Sequence, residues 1–169
     1  MDYSEVCSDG FEESIRWFIN SNREDPWYEW APRRDWWIGK MDELTESIAN
    51  WLSPLIAEGA VGFEKTAVCL EEGSVGIYCV AQANIQLGRA SVKVVPKGTL
   101  IVGGFGCAEL ETPLGTASFR LLNLTGTQAA DPWKNATWYL VHASSGSPLA
   151  PLDRDTFQRV LLDLLGLGY

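Results

Sequence analysis

"TAVCLEEGSVGIYCVAQANIQL", residues 66–87, decides the fold class. Upstream of it, apolar residues recur at helical spacing. From Thr66 onward they run in short β-branched stretches broken by turn residues. The stretch reads as two strands around a tight turn at Glu71–Ser74. Next, "RASVKVV" (89–95) alternates, with Ala90, Val92 and Val94 on one face and Ser91 and Lys93 on the other. "PKG" (96–98) turns the chain into "TLIVGGF" (99–105), and "TPLG" (112–115) turns "CAELE" (107–111) into "TASFRLLNL" (116–124). A polar loop, "TQAADPWKN" (127–135), leads into a last strand within "ATWYLVHAS" (136–144). Connections this short join antiparallel neighbours, which predicts a meander of about six strands. Gly103, Gly104 and Gly106 of "GGFG" predict bulges or bends that curl the sheet.

Outward from the sheet, the flanks are helical. "KMDELTESIANWLSPLIAEG" (40–59) carries Met41, Leu44, Ile48, Trp51 and Leu52 as an apolar stripe, with Asp42, Glu43 and Glu46 facing away. Pro54 ends or kinks this helix and Gly59 closes it. "FEESIRWFI" (11–19) sets Phe11, Ile15, Phe18 and Ile19 on one stripe, with Ser8 or Asp9 as its cap. Pro26 and Pro32 are expected to hold the stretch between these helices out of regular helix. At the other end, "PLDRDTFQRVLLDLLGLGY" (151–169) offers Asp153 as N-cap, Phe157, Val160, Leu161, Leu164 and Leu165 as a face, and Gly166 as the stop. The expected architecture is one α+β domain over residues 1–169. Its parts are an acidic, tryptophan-rich helical region (1–60), an antiparallel sheet (61–145) and a closing helix (152–166).

The chain of 169 residues has 46% hydrophobic and 21% charged side chains, a globular balance. No stretch reaches the roughly 20 apolar residues of a membrane span, and the acidic N-terminus lacks a signal-peptide core. These features predict a cytoplasmic protein. Cys7, Cys69, Cys79 and Cys107 form no CxxC pair and do not read as a disulfide scaffold; the last three sit in apolar, strand-like runs and read as small hydrophobes. The glycosylation sequons at Asn123 and Asn135 need a secretory route, so they read as chance.

Catalytic signatures are sparse. The single histidine, His142, ends the "WYLVH" strand and reads as structural. "SSGS" (144–147) lacks a nucleophile-elbow context, "GGFG" lacks the Lys-Ser/Thr of a phosphate loop, and no metal-ligand spacing occurs. No cofactor is expected. The paired acids Glu12–Glu13, Glu71–Glu72 and Asp153/Asp155 fit a helix surface, a turn and a helix start.

Charge and aromatics remain. Net charge is −9, and residues 1–60 hold 13 acidic against 5 basic side chains. Trp17, Trp27, Trp30, Trp36, Trp37 and Trp51 fall in that same third. Nucleic acid and anionic membranes would be repelled by it. The aromatic cluster is then partial core, a protein interface or a ligand platform. The expected function is a non-enzymatic binding protein that occludes a basic protein partner, in the manner of an immunity or antitoxin protein against a toxin, or a nucleic-acid-mimicking inhibitor. Its partner-binding residues would be Trp27, Trp30, Arg33, Arg34, Trp36, Trp37, Glu12, Glu13, Asp42, Glu43 and Glu46. The alternatives are a secretion chaperone, or an enzyme or small-molecule binder with a pocket in the curved sheet beside His142. Oligomeric state is not legible.

Overall fold

The first long helix, α1, spans Trp30–Trp51. It begins ten residues before the start that its purely apolar stripe predicts. Pro32 does not oppose this, because it lies in the first turn, where a missing N–H costs nothing. Arg33, Trp37, Met41, Leu44, Thr45 and Ile48 form its buried side. Arg33 and Thr45 are polar, which is why a search for hydrophobic periodicity misses half of the stripe. The structure, a computed structural model, describes residues 11–13, 15–16, 30–125 and 131–168.

The chain divides into two compact units, Met1–Ala31 and Pro32–Tyr169. In the first, residues 11–13 and 15–16 are helical and exposed, and Arg16 pairs with Glu12 at 3.1 Å across one turn. The expected roles of Trp17, Phe18, Ile19, Pro26, Trp27 and the cap at Ser8 or Asp9 lie outside the described residues.

In the second unit a short helix, α2 (Ser53–Ala57), follows α1 with Pro54 in its opening turn. Seven antiparallel strands come next, lying side by side in sequence order. They are β1 (Val61–Glu72), β2 (Gly76–Leu87), β3 (Ala90–Gly98), β4 (Cys107–Thr112), β5 (Gly115–Leu122), β6 (Thr137–Val141) and β7 (Pro148–Pro151). The sheet stays open, with β1 and β7 as edges. Two prolines in the four residues of β7 suit an edge, where one side of the ladder needs no donors. The last helix, α3 (Arg154–Leu164), starts as expected: the Asp153 carboxylate accepts from the Thr156 amide at 2.8 Å. Those hydrogen bonds hold its pKa below the usual carboxylate range.

The core lies between the sheet and the two long helices. Val92, Val94, Leu110, Phe119 and Leu121 are fully buried, as are Trp37, Met41 and Ile48 of α1 and Phe157 of α3. Trp51 of α1 packs on Phe157, ring centres 5.5 Å apart. In β2 the buried residues change parity, from Tyr78 and Val80 to Ala83 and Ile85. No register slip accompanies the change. Twist accounts for it: β3 pairs with β2 only over Ala83–Leu87. The rest of the β1–β2 hairpin is a two-stranded ribbon, which twists more than a full sheet.

Two expectations about the sheet are corrected. Residues 99–105 are not a strand but a loop, and β7 supplies the seventh strand instead. The cysteines at 69 and 79 are not packed hydrophobes. They stand directly opposite each other in the hairpin and form a disulfide, with Cα atoms 4.0 Å apart. That spacing fits a pair flanked rather than bridged by ladder hydrogen bonds, where facing side chains come closest. Cys107 is a free, buried thiol, as expected.

Candidate interaction surface

The outward side of α1 is its chemical opposite. Asp35, Asp42, Glu43 and Glu46 recur at i, i+7, i+8 and i+11, one stripe of a 3.6-residue helix. Their side chains are 67%, 45%, 67% and 71% exposed. Arg34 meets Asp35 at 3.1 Å, and Lys40 meets Glu43 at 3.2 Å. Lys65 reaches over from β1 to Asp42 at 2.8 Å and to Glu46 at 3.9 Å. Four carboxylates thus face three cations, a stripe with one negative charge in excess.

The larger acidity lies earlier in the chain. Residues 1–31 carry 8 acidic and 2 basic side chains, whereas residues 32–169 carry 14 and 11. Glu12 and Glu13 belong to the first unit and are exposed there. Trp27 is outside the described residues.

Trp37 of α1 serves the interior. The expected irregularity is overturned, since the chain is helical from Trp30 onward. Of Trp30, Trp36 and Trp37, at least one of which was expected to stay substantially exposed, Trp37 is fully buried and the other two are half-buried. Trp37 tilts against Trp138 of β6 at 6.1 Å, and Trp36 meets Trp133 edge-on at 5.3 Å. Trp133 comes from the stretch expected to be a plain polar loop, where Pro132–Asn135 form a single 3-10 turn. The Trp138 indole donates to the Lys40 carbonyl at 3.4 Å, while the ring N–H groups of Trp36 and Trp133 are buried with no partner among the described residues. Gly106 permits the close fit, since a Cβ there would stand 2.5 Å from the Trp37 ring.

Arg33 was expected at a partner surface and is instead 7% exposed. Its guanidinium donates to the Thr99 hydroxyl at 2.8 Å, to the Thr99 carbonyl at 2.9 Å and to the Phe105 carbonyl at 3.3 Å. It also lies over the Phe105 and Trp36 rings at 5.1 and 5.8 Å. Delocalised charge and planar donors make arginine the cation best suited to such a place.

Glu72, at the end of β1, completes this polar node. Its carboxylate accepts from the Thr99 amide at 3.0 Å, the Leu100 amide at 2.9 Å and the Tyr78 hydroxyl. Burial first, and then the hydrogen bond and charge of Glu72, push the Tyr78 phenol far above its ordinary pKa, against a smaller opposing pull from Trp37. Gly98, at φ +142°, leaves the room: a Cβ there would lie 2.5 Å from the Glu72 carboxylate. These contacts explain why residues 99–105 form no strand. The Thr99 and Leu100 amides go to Glu72 and the Thr99 and Phe105 carbonyls to Arg33, while the Phe105 amide bonds to Leu121 of β5.

His142 lies just beyond β6, exposed, with Nδ1 2.9 Å from the Ser144 hydroxyl. The inner face of the sheet is covered by the buried side of α1. Among the described residues no group of three His, Cys, Asp or Glu side chains is placed to hold a metal ion, and no helix is long and apolar enough to cross a membrane. Sequence reasoning missed Lys65, Tyr78 and Thr99 and read Glu72 only as part of a turn, because each acts through a partner at least six residues away and on another element. No protein-family model, curated protein or solved structure matches the chain.

Proposed function

We propose that the protein is a non-enzymatic binding module whose acidic surface occludes a basic protein partner, in the manner of an immunity or antitoxin protein or of an inhibitor that imitates nucleic-acid charge. The observation that carries this reading is the outward stripe of α1. None of the Asp35, Asp42, Glu43 and Glu46 side chains is among the buried residues of α1, yet they share one face of a helix whose other face is seated on the sheet. The acidic excess of residues 1–31 adds charge of the same sign. Such charge raises the rate of encounter with a cationic partner and sets its orientation. Aromatic anchoring has a smaller part than the sequence suggests, because Trp37 is wholly internal.

The experiment is capture from native lysate by the wild-type chain and by a variant carrying Asp35→Lys, Asp42→Lys, Glu43→Lys and Glu46→Lys. A basic protein held by the first and not by the second is the expected result. Its association with the wild type should slow by about tenfold or more as the ionic strength is raised. Equal capture by both chains, or a rate indifferent to salt, overturns the reading.

A further inference from the structure

We infer that the Cys69–Cys79 disulfide is a site of thiol–disulfide exchange, and that opening it releases the hold of Glu72 on the chain after β3. Accessibility is the first ground. Both cysteines are exposed on the hairpin surface, so an attacking thiolate can approach either sulfur. Cys107 differs on this point: it is buried, with its sulfur 3.6 Å from the Ser118 hydroxyl.

Position is the second ground. Only three rungs lie between the disulfide and the turn: Leu70 opposite Tyr78, Glu71 opposite Ile77, and Glu72 opposite Gly76. This part of the hairpin has no third strand beside it, since β3 pairs only from Ala83 onward. The terminal rungs are therefore held by their own ladder, by the disulfide behind them, by the burial of Tyr78 and Val75 on one face, and by what they grip in front. What they grip is the polar node. Glu72 is the last residue of β1, and its carboxylate takes both the Thr99 and Leu100 amides. A two-stranded ribbon is marginal in water by itself, so the cross-link at its base adds to the burial of Tyr78 and Val75 in limiting how often the tip frays.

The chemistry balances with a dithiol reductant. One thiolate of the reductant attacks Sγ of Cys69 or Cys79, the S–S bond breaks, and the other sulfur leaves as a thiolate that takes a proton. The second thiol of the reductant then displaces the remaining protein sulfur. Two electrons and two protons reach the hairpin, and the reductant becomes a disulfide. The tip is closed under oxidising conditions and loosened where dithiols prevail.

Hydrogen exchange with and without dithiothreitol tests this under native conditions, with alkylation and mass measurement to count thiols. Reduction should expose Cys69 and Cys79 to alkylation without denaturant. Exchange at the Thr99 and Leu100 amides should accelerate about tenfold, while amides in the middle of β4 and β5 keep their protection. A Cys69→Ala/Cys79→Ala variant should show the fast rates without reductant. Glu72→Ala should show them in both redox states. If the two sulfurs resist dithiothreitol until the protein unfolds, the exchange site is refuted. If they alkylate while Thr99 and Leu100 stay protected, or if Glu72→Ala leaves them protected, the coupling is refuted.

Discussion

Arg33 and Arg34 are neighbours in sequence and differ in almost everything that a substitution would disturb. Arg33 points into the protein, where three oxygen acceptors and two aromatic rings surround it. Arg34 is 36% exposed and meets a single carboxylate, that of Asp35. The same contrast runs the length of α1. Its inward stripe is packed against the sheet, so each side chain there removes atoms from water and leaves a hole when cut back. Its outward stripe holds charges that water would solvate nearly as well, so those pairs add little to stability. One helix thus carries fold on one side and, on the present reading, recognition on the other. The way to break that division is to find stability outside or function inside.

The largest expected effect is at Trp37. Trp37→Ala empties the centre of the interface between helix and sheet and should cost about 3–5 kcal/mol in denaturant unfolding. A loss below about 1 kcal/mol would mean that the site collapses and that α1 is not the keystone of the core. Arg33 comes second. Arg33→Ala removes the charged donor from the Thr99 and Phe105 oxygens, leaving the two carbonyls only the Ile101 amide and the Thr99 hydroxyl, and should cost about 2–3 kcal/mol. Arg33→Lys should recover only part of it, because an ammonium lacks the planar fork and stacks less well on Phe105 and Trp36. Gly106→Ala comes next. Its Cβ would press on the Trp37 ring, and overpacking of this kind costs about 1–3 kcal/mol.

How much of this the sequence displays depends on whether the controlling contact is local. The α3 helix is legible because its cap, face and stop all lie within 14 residues, Asp153 to Gly166. The hairpins are legible for the same reason, down to the turn between β4 and β5. The disulfide shows how narrow the margin is. A turn at Glu71–Ser74 pairs Cys69 with Gly76. The true turn, Gly73–Val75, sets Cys69 opposite Cys79. One and a half residues of displacement separate two reduced cysteines from a cross-link. The beginning of α1 is hidden more deeply. Arg33 breaks the apolar pattern, and the groups that make it tolerable, Thr99 and Phe105, lie 66 and 72 residues further on. Of the acidic site, sequence shows the spacing of Asp42, Glu43 and Glu46 but not Lys65, which tertiary contact alone delivers.

A smaller, pH-dependent effect belongs to the inward side. The folded protein holds the phenolic proton of Tyr78 more tightly than the unfolded chain does, where a tyrosine titrates at its ordinary value of 10.0. Stability from this group is therefore complete below pH 10 and declines as pH rises beyond it toward the folded value. Equilibrium unfolding followed from neutral to strongly alkaline pH should show that decline, and Tyr78→Phe should flatten it. A wild-type curve with no alkaline slope would show that the burial of Tyr78 and its contact with Glu72 do not persist in solution.

The smallest expected effect on stability is the one that separates the two sides most sharply. Reversal of Asp35, Glu43 or Glu46 alone should change unfolding free energy by no more than about 0.5 kcal/mol, as exposed positions away from caps and networks do. Asp42 should stand slightly apart, because it holds Lys65 at 2.8 Å and so links α1 to β1. Asp42→Lys sets two ammonium groups together, and a double cycle with Lys65→Glu should restore what is lost. The same single reversals should each slow association with a basic partner, and the effects should shrink together as salt rises. A stripe whose reversal destabilises the protein by kilocalories and leaves binding unchanged would place the outward residues of α1 with the fold, and the acidic surface would then have to be sought in residues 1–31 alone.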